Sequence, residues 1–251
     1  MPGRVKAVLA DLDDTLFDHR HATRTALGRL AEAQPAFAVW PAEELARRHA
    51  EILEVLHLEV LSGRRTIAEA RTERFARLLA AAGSNGDPAR VRQAADVYRV
   101  AYETAWRPVA GTHGLLAALA ERRLPVAIVT NNKTEEQRRK LKRIGLDGQV
   151  AALVTSEEVG LSKPDRRIFD AALERVGVRA DEAVMLGDGW ATDVNGARGA
   201  GIAVVWLNRF GLASPDASVP ELTSLEPADV ALERLGIELR EGRASARPPG
   251  S

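Results

Sequence analysis

The sequence contains no cysteine. Disulfides, thiolate nucleophiles and cysteine-ligated metals are therefore excluded. Aromatic residues make up only 4% of the 251 positions, which offers no clear platform for stacking bases. No window approaches 18 apolar residues, and no charged leader precedes a long apolar run. Neither a membrane-spanning helix nor a secretory signal is expected. Charge of one sign is also missing: 35 Lys and Arg balance 35 Asp and Glu. No global field then favours a nucleic acid polymer or an anionic membrane. Lysine itself is scarce, outnumbered 30 to 5 by arginine, so each lysine is easier to interpret. The expectation is a cytoplasmic, soluble protein, monomer or homodimer, long enough for a core domain and a smaller companion.

What is present divides in two. A short buried strand is expected at residues 5–10. From about residue 17 to 106 the chain is rich in Ala, Leu, Glu and Arg, with no convincing strand. Pro41 is placed to open a helix as its first residue. Thr66 and Glu69 have capping-box spacing, with Gly83 as the stop. Asp87 and Pro88 start a third helix after the turn "SNGD". This section reads as an all-helical insertion. After Pro108 the rhythm alternates: "PVAIVT", "AALVTS", "EAVMLGD" and "IAVVWLN" are each preceded by a helical segment, and "LTSLEPADVALERLG" adds one more short strand and helix. Strands alternating with helices of 10–15 residues imply βαβ units, hence an α/β fold with a parallel sheet. The tail at 241–251 is Arg-, Pro-, Gly- and Ser-rich and is expected to be flexible.

The polar residues that matter fall at strand ends. Ligand sites of open parallel sheets lie outside the carboxyl ends of the strands. The first strand runs into "DLDDT", where Asp11 and Asp13 point to one side with Leu12 opposite. The second ends at Thr130 and Asn131, the fourth at Asp188 with Asp193 a turn later, and Lys163 sits in the loop after "LVTS". Clustered carboxylates repel: two like charges ~4 Å apart cost about 4 kcal/mol at an effective dielectric near 20. A hard divalent cation such as Mg²⁺ removes that cost and accepts carboxylate, water and phosphate oxygens. A lysine beside it suits a phosphate oxygen, and an aspartate can serve as nucleophile in phosphoryl transfer.

The ordered set "DLDDT", "VTNN", "KP" and "GDGWATD" resembles the haloacid dehalogenase superfamily of phosphohydrolases over residues 5–208. That resemblance implies a Rossmann-like doubly wound core from 1–16 and 108–240. The insertion at 17–107 would be its type 1 helical cap, closing over the crevice on hinges near 17–20 and 107–111. It also implies that Asp11 attacks phosphorus and that Asp13 protonates the leaving oxygen and then activates water. Thr130 and the Asn131 backbone N–H would bind phosphoryl oxygens while Lys163 offsets charge. Mg²⁺ would be held by Asp11, the Asp13 carbonyl and Asp188, with Asp193 orienting water or Lys163. The substrate would be a small phosphorylated metabolite. "SEEVGLSKPDRRIFDAAL" and "WLN" look most like the pyrimidine 5′-nucleotidase branch, which points to a nucleoside 5′-monophosphate.

Plainer readings stand beside these. Asp14 is read as shaping the turn after the first strand. Thr130 and Asn131 could open an ordinary loop with Thr134 as helix cap, Asp193 could merely cap its helix, and Lys163 taken alone could be a solvated lysine. Trp190 is read as packing rather than walling the site. His19 and His21 are open to substrate contact or to a surface role, and Arg64, Arg65 and Trp106 are candidates for the substrate side of the insertion. Other functions on the same scaffold are a phosphomutase, a 2-haloacid dehalogenase and a non-catalytic binding protein. Dehalogenases of this kind need neither a metal nor the second acid, so Asp13 argues against that one. A carbon–phosphorus hydrolase needs a Schiff-base lysine in the cap, yet no Lys occurs between Ala7 and Asn132.

Overall fold

The computed structural model describes residues 4–61, 63–84 and 87–238. The chain separates into two compact units, one formed by the residues up to Asp18 and from Pro108 onward, the other by His19–Arg107. Residues 85 and 86 of the expected "SNGD" turn, and the tail at 241–251, lie outside the described residues.

The first unit begins with β1 (Ala7–Ala10), four buried residues without a polar side chain. The second unit follows: α1 (His19–Ala33), α2 (Ala42–Leu61), α3 (Ile67–Ala81) and α4 (Pro88–Thr104). Helix α1 and the 3₁₀ turn at Pro35–Val39 were not anticipated individually. Local chemistry sets the other boundaries. The Thr66 hydroxyl accepts from the Glu69 N–H while the Glu69 carboxylate accepts from the Thr66 N–H, a complete capping box. Asp87 caps α4, with Pro88 at its first position. Helix α2 starts at Ala42, one residue beyond Pro41. Leu30, Phe37, Phe75, Leu78 and Leu79 are fully buried in this unit's own core, each contributing roughly 2–3 kcal/mol.

The chain then returns to the first unit. Helix α5 (Thr112–Glu121) leads to β2 (Val126–Thr130), α6 (Thr134–Arg143), β3 (Ala152–Thr155), the short α7 (Ser156–Val159), and α8 (Arg166–Val176). β4 (Ala183–Gly187), α9 (Asn195–Gly199), β5 (Ala203–Leu207), β6 (Glu221–Leu222) and α10 (Ala228–Arg234) complete it. The six strands form one sheet in the order β3-β2-β1-β4-β5-β6, with every pairing parallel. This is the doubly wound arrangement, and the order reverses at β1. Leu9, Val129, Val154 and Met185 bury against Ile168, Phe169 and Ala172 of α8 and Val194 and Ala197 near α9. Strands covered on both faces read as unbroken apolar runs, as β2 and β4 do. Among the described residues no helix is long and apolar enough to cross a membrane.

The segment "WATDVNGARGAG", expected as one helix, divides. Trp190–Val194 forms a π-helical turn before α9 begins at Asn195. Its geometry follows from Gly189: its N–H donates to Asp193 Oδ2 at 2.9 Å, and its carbonyl accepts from the N–H groups of Asp193 and Val194. The extra residue in the turn carries Asp193 inward, where it is 1% exposed.

Candidate active site

At the carboxyl edge of β1 the backbone N–H of Asp11 still donates to the Leu186 carbonyl of β4. The carboxylate therefore emerges where the strand order reverses. Leu12, Leu16 and Phe17 are fully buried behind it. Asp14 adopts a left-handed φ of 63°, a conformation Asp tolerates better than most residues; it shapes the turn.

Asp11, Asp188 and Asp193 converge, with one carboxylate oxygen from each lying within 4.8 Å of the others. Lys163 reaches into this group from the loop before α8. Its Nζ lies 2.5 Å from Asp11 Oδ1 and 2.7 Å from Asp193 Oδ1. Lysine, Asp11 and Asp193 are all buried, so Lys163 is no solvated side chain. Asp193 pairs with Lys163 through Oδ1 and accepts from the Gly189 N–H through Oδ2; it is not the cap of α9, a position that Val194 takes. Asp188 is held by Thr15: the hydroxyl donates to Oδ1 at 3.1 Å and accepts from the Asp188 N–H at 3.2 Å. The Trp206 indole N–H donates to the Asp188 carbonyl at 2.9 Å. Trp190 packs edge-on against Trp206, ring centres 5.0 Å apart. Gly187 cannot carry a side chain, because a Cβ there would collide with the Asp193 carboxylate.

Two buried carboxylates and the half-buried Asp188 face one ammonium, and the proton affinities of Asp11 and Asp188 record the excess. Burial pushes Asp11 well above the usual carboxylate range; Lys163 opposes this, while Asp193, Asp188 and Asp13 add to it. Asp188 is pushed up to about 7 by burial and by the charges of Asp193 and Asp14. Burial disfavours the Lys163 cation, but Asp11 and Asp193 outweigh it and hold the ammonium charged. A largely buried all-oxygen set with surplus negative charge suits a hard divalent cation. Both Asp193 oxygens are already engaged, which leaves Asp11 and Asp188 as the carboxylates fitted to hold one.

The Asp13 carboxylate has a different set of partners. Oδ1 accepts from Lys140 Nζ at 2.5 Å and Oδ2 from Gln137 Nε2 at 3.0 Å. The same Nε2 donates to the buried Thr130 hydroxyl at 2.6 Å. Neither Gln137 nor Lys140 was singled out in the sequence. The signal was there: Gln137, Lys140, Leu141 and Ile144 form the buried stripe of α6 and its end, and two of those four core positions are polar. The Asn131 side chain clamps the lysine loop, its amide donating to the Lys163 carbonyl and its Oδ1 accepting from the Lys163 N–H. Thr134 is not the cap of α6. Lys133 takes that position, and the Thr134 N–H donates to Glu157, an acid of α7 that satisfies the helix start from outside. In the helical unit, His19 hydrogen-bonds the Tyr102 hydroxyl at 2.7 Å, and Arg65 pairs with Glu59 at 2.8 Å.

The sequence profile of the haloacid dehalogenase-like hydrolases matches residues 5–201. Phosphoserine phosphatase of Thermus thermophilus is 36% identical over 245 residues, covering 87% of this chain and 96% of that protein. Pyrimidine 5′-nucleotidase YjjG of Escherichia coli is 37% identical over 117 residues, 46% of this chain and 52% of that protein. Among solved structures, magnesium-bound YfnB of Bacillus subtilis superposes with a TM-score of 0.75 at 25% identity, covering 94% of this chain and all of that one.

Proposed function

The chain belongs to the haloacid dehalogenase-like hydrolase family, and within it we propose a Mg²⁺-dependent phosphomonoester hydrolase working through an aspartyl phosphate. The observation that carries this reading is the buried Asp11–Lys163 pair beside Asp188 and Asp193 on the edge where the sheet order reverses.

Asp11 supplies the nucleophile. A carboxylate oxygen attacks phosphorus, the phosphorus–oxygen ester bond breaks, and the leaving oxygen takes a proton from Asp13. Water then attacks the phosphorus of the aspartyl phosphate, Asp13 accepts its proton, and inorganic phosphate leaves with the Asp11 carboxylate restored. Thr130 and the Asn131 N–H bind phosphoryl oxygens, and Lys163 neutralises charge on nucleophile and phosphate. Asp11, Asp188 and the Asp13 carbonyl would hold Mg²⁺, which supplies charge compensation between the nucleophile and the incoming phosphate. Asp193 fixes Lys163. Positioning and electrostatics supply most of the acceleration in such chemistry.

The helical unit takes the place of the cap that the family resemblance implies. A small phosphorylated metabolite is the substrate class, with a nucleoside 5′-monophosphate as one candidate, supported by the likeness to a pyrimidine 5′-nucleotidase. The likeness to a phosphoserine phosphatase supports testing phosphoserine beside it. The test is phosphate release from nucleoside monophosphates, phosphoserine, sugar phosphates and nitrophenyl phosphate, ranked by kcat/KM with and without Mg²⁺. Metal-dependent hydrolysis of at least one ester is expected; no release from any of them at any metal concentration would overturn the reading.

A further inference from the structure

Two buried lysines divide the acids of the site between them. Lys163 pairs with Asp11 and Asp193, and Lys140 pairs with Asp13. Lys140 is 1% exposed. Its ammonium lies 3.6 Å from Glu136 and 4.9 Å from the centre of the Phe17 ring. Gln137, one helical turn away on the same face, is fully buried, and its Oε1 finds no donor among the described residues. An apolar pair at these positions of α6 would pack without the desolvation cost of a buried amide and a buried ammonium. What the polar pair does instead is visible in its bonds. Lys140 Nζ and Gln137 Nε2 hold one oxygen each of the Asp13 carboxylate, and that same Nε2 also holds the Thr130 hydroxyl.

We infer that Lys140 and Gln137 are positioning residues that fix the Asp13 carboxylate relative to Thr130, so that the group serving the leaving oxygen is registered on the group binding the phosphoryl oxygens. This rests on the reading of Asp13 and Thr130 given above. Lys140 restrains the carboxylate from the helix side, and Gln137 sets its spacing from the end of β2. Neither side chain is required to touch the substrate.

An acid that has lost its position matters most where the leaving group most needs a proton. The test compares Lys140→Met and Gln137→Leu with wild type on nitrophenyl phosphate, whose leaving group departs unaided, and on an alkyl phosphate such as glycerol phosphate. The expected result is a loss in kcat/KM, which reports the steps up to departure of the leaving group, of roughly ten- to a hundredfold on the alkyl ester, set against the 10²–10⁴ that a positioned acid supplies. On nitrophenyl phosphate the loss in kcat/KM should stay below about threefold, while kcat falls on both esters because they share the water step that Asp13 also serves. Should Lys140→Met fail to fold, Gln137→Leu carries the same outcomes, since it removes an amide and leaves the ion pair. An equal loss in kcat/KM on both esters, no loss, or a gain in the folded variants overturns the positioning role and leaves the phosphatase reading standing. A wild-type protein that hydrolyses neither ester, nor any other of the panel, overturns that reading and the positioning role together.

Discussion

Lys163 and Asp11 stand 152 positions apart in the chain, yet their Nζ and Oδ1 atoms lie 2.5 Å apart in a buried site. The parallel sheet makes this meeting possible: β1 ends in the aspartate, and the loop after β3 and α7 returns the lysine to the same edge. Buried ion pairs contribute little net stability, and removing one partner leaves an uncompensated charge. The pair is therefore better explained by chemistry than by folding.

Asp11→Asn should abolish turnover while preserving the fold. The amide keeps the shape and removes the nucleophilic oxygen, so kcat should fall at least a thousandfold, about 4 kcal/mol of barrier. Burial holds the Asp11 carboxyl above its usual range and Lys163 keeps Asp193 as a partner, so the neutral amide should leave the melting temperature unchanged or raise it. Steady-state phosphate release and thermal denaturation check the two halves; a variant retaining a tenth of wild-type activity would remove Asp11 as nucleophile.

Asp188 should make the core unit of the metal-free protein less stable as pH rises between about 4 and 7. Asp188 binds its proton up to about pH 7 in the fold and to about 4 when unfolded. Its contribution is thus fully present below the unfolded value and is lost as pH rises through the folded one, by up to roughly 4 kcal/mol. Mg²⁺ binds the ionised form, so its stabilisation should grow over the same window. Melting curves at pH 5 and pH 8, with and without Mg²⁺, measure this. A metal-induced shift of equal size at both pH values would contradict it.

Gly187→Ala should destabilise the core unit by about 1–3 kcal/mol. The added methyl would occupy the space of the Asp193 carboxylate, forcing that side chain off Lys163 or bending β4. Urea denaturation reads the stability, and kcat should drop at least tenfold alongside it. An alanine variant as stable and as active as wild type would show that the close approach has no consequence.

His49 predicts an acid sensitivity of opposite sign in the helical unit. It stacks on Tyr98 with ring centres 5.3 Å apart, and burial, Arg74 and His19 lower its pKa to about 3. The fold keeps it neutral, so its stabilising contribution is present above about pH 6.5 and is lost as pH falls toward 3. At pH 4.5 the loss should be about 3 kcal/mol. His49→Phe keeps a stacking ring without the titration, so between pH 6.5 and 4.5 the variant should lose less stability than wild type; the same change in both would contradict the assignment.

Much of the site was legible because its residues sit at strand ends, and strand ends of a parallel sheet share an edge. Asp11, Thr130, Lys163 and Asp188 could be placed there from alternation and spacing alone. Partners reached across the fold were not legible. Thr15 meets Asp188 across 173 positions, and Lys140 meets Asp13 across 127; periodicity in one element says nothing of such meetings. The π turn at Trp190–Val194 was hidden for a local reason, since it depends on Asp193 folding back to bond Gly189 four residues earlier, which helical periodicity does not reveal. Helix α1 was passed over because its buried face uses Ala22, Ala26, Leu27 and Leu30 between basic and hydroxyl residues, a weak apolar stripe.

The most direct test of the account is to trap the covalent intermediate. Wild-type protein mixed with Mg²⁺ and its best phosphate ester is quenched during turnover, reduced with borohydride and mapped by mass spectrometry. An acyl phosphate at Asp11 is converted to homoserine, so that product is expected at position 11 with substrate present and not without it. Turnover that proceeds with no reduced residue at position 11, or with the reduced residue at another carboxylate, would contradict it.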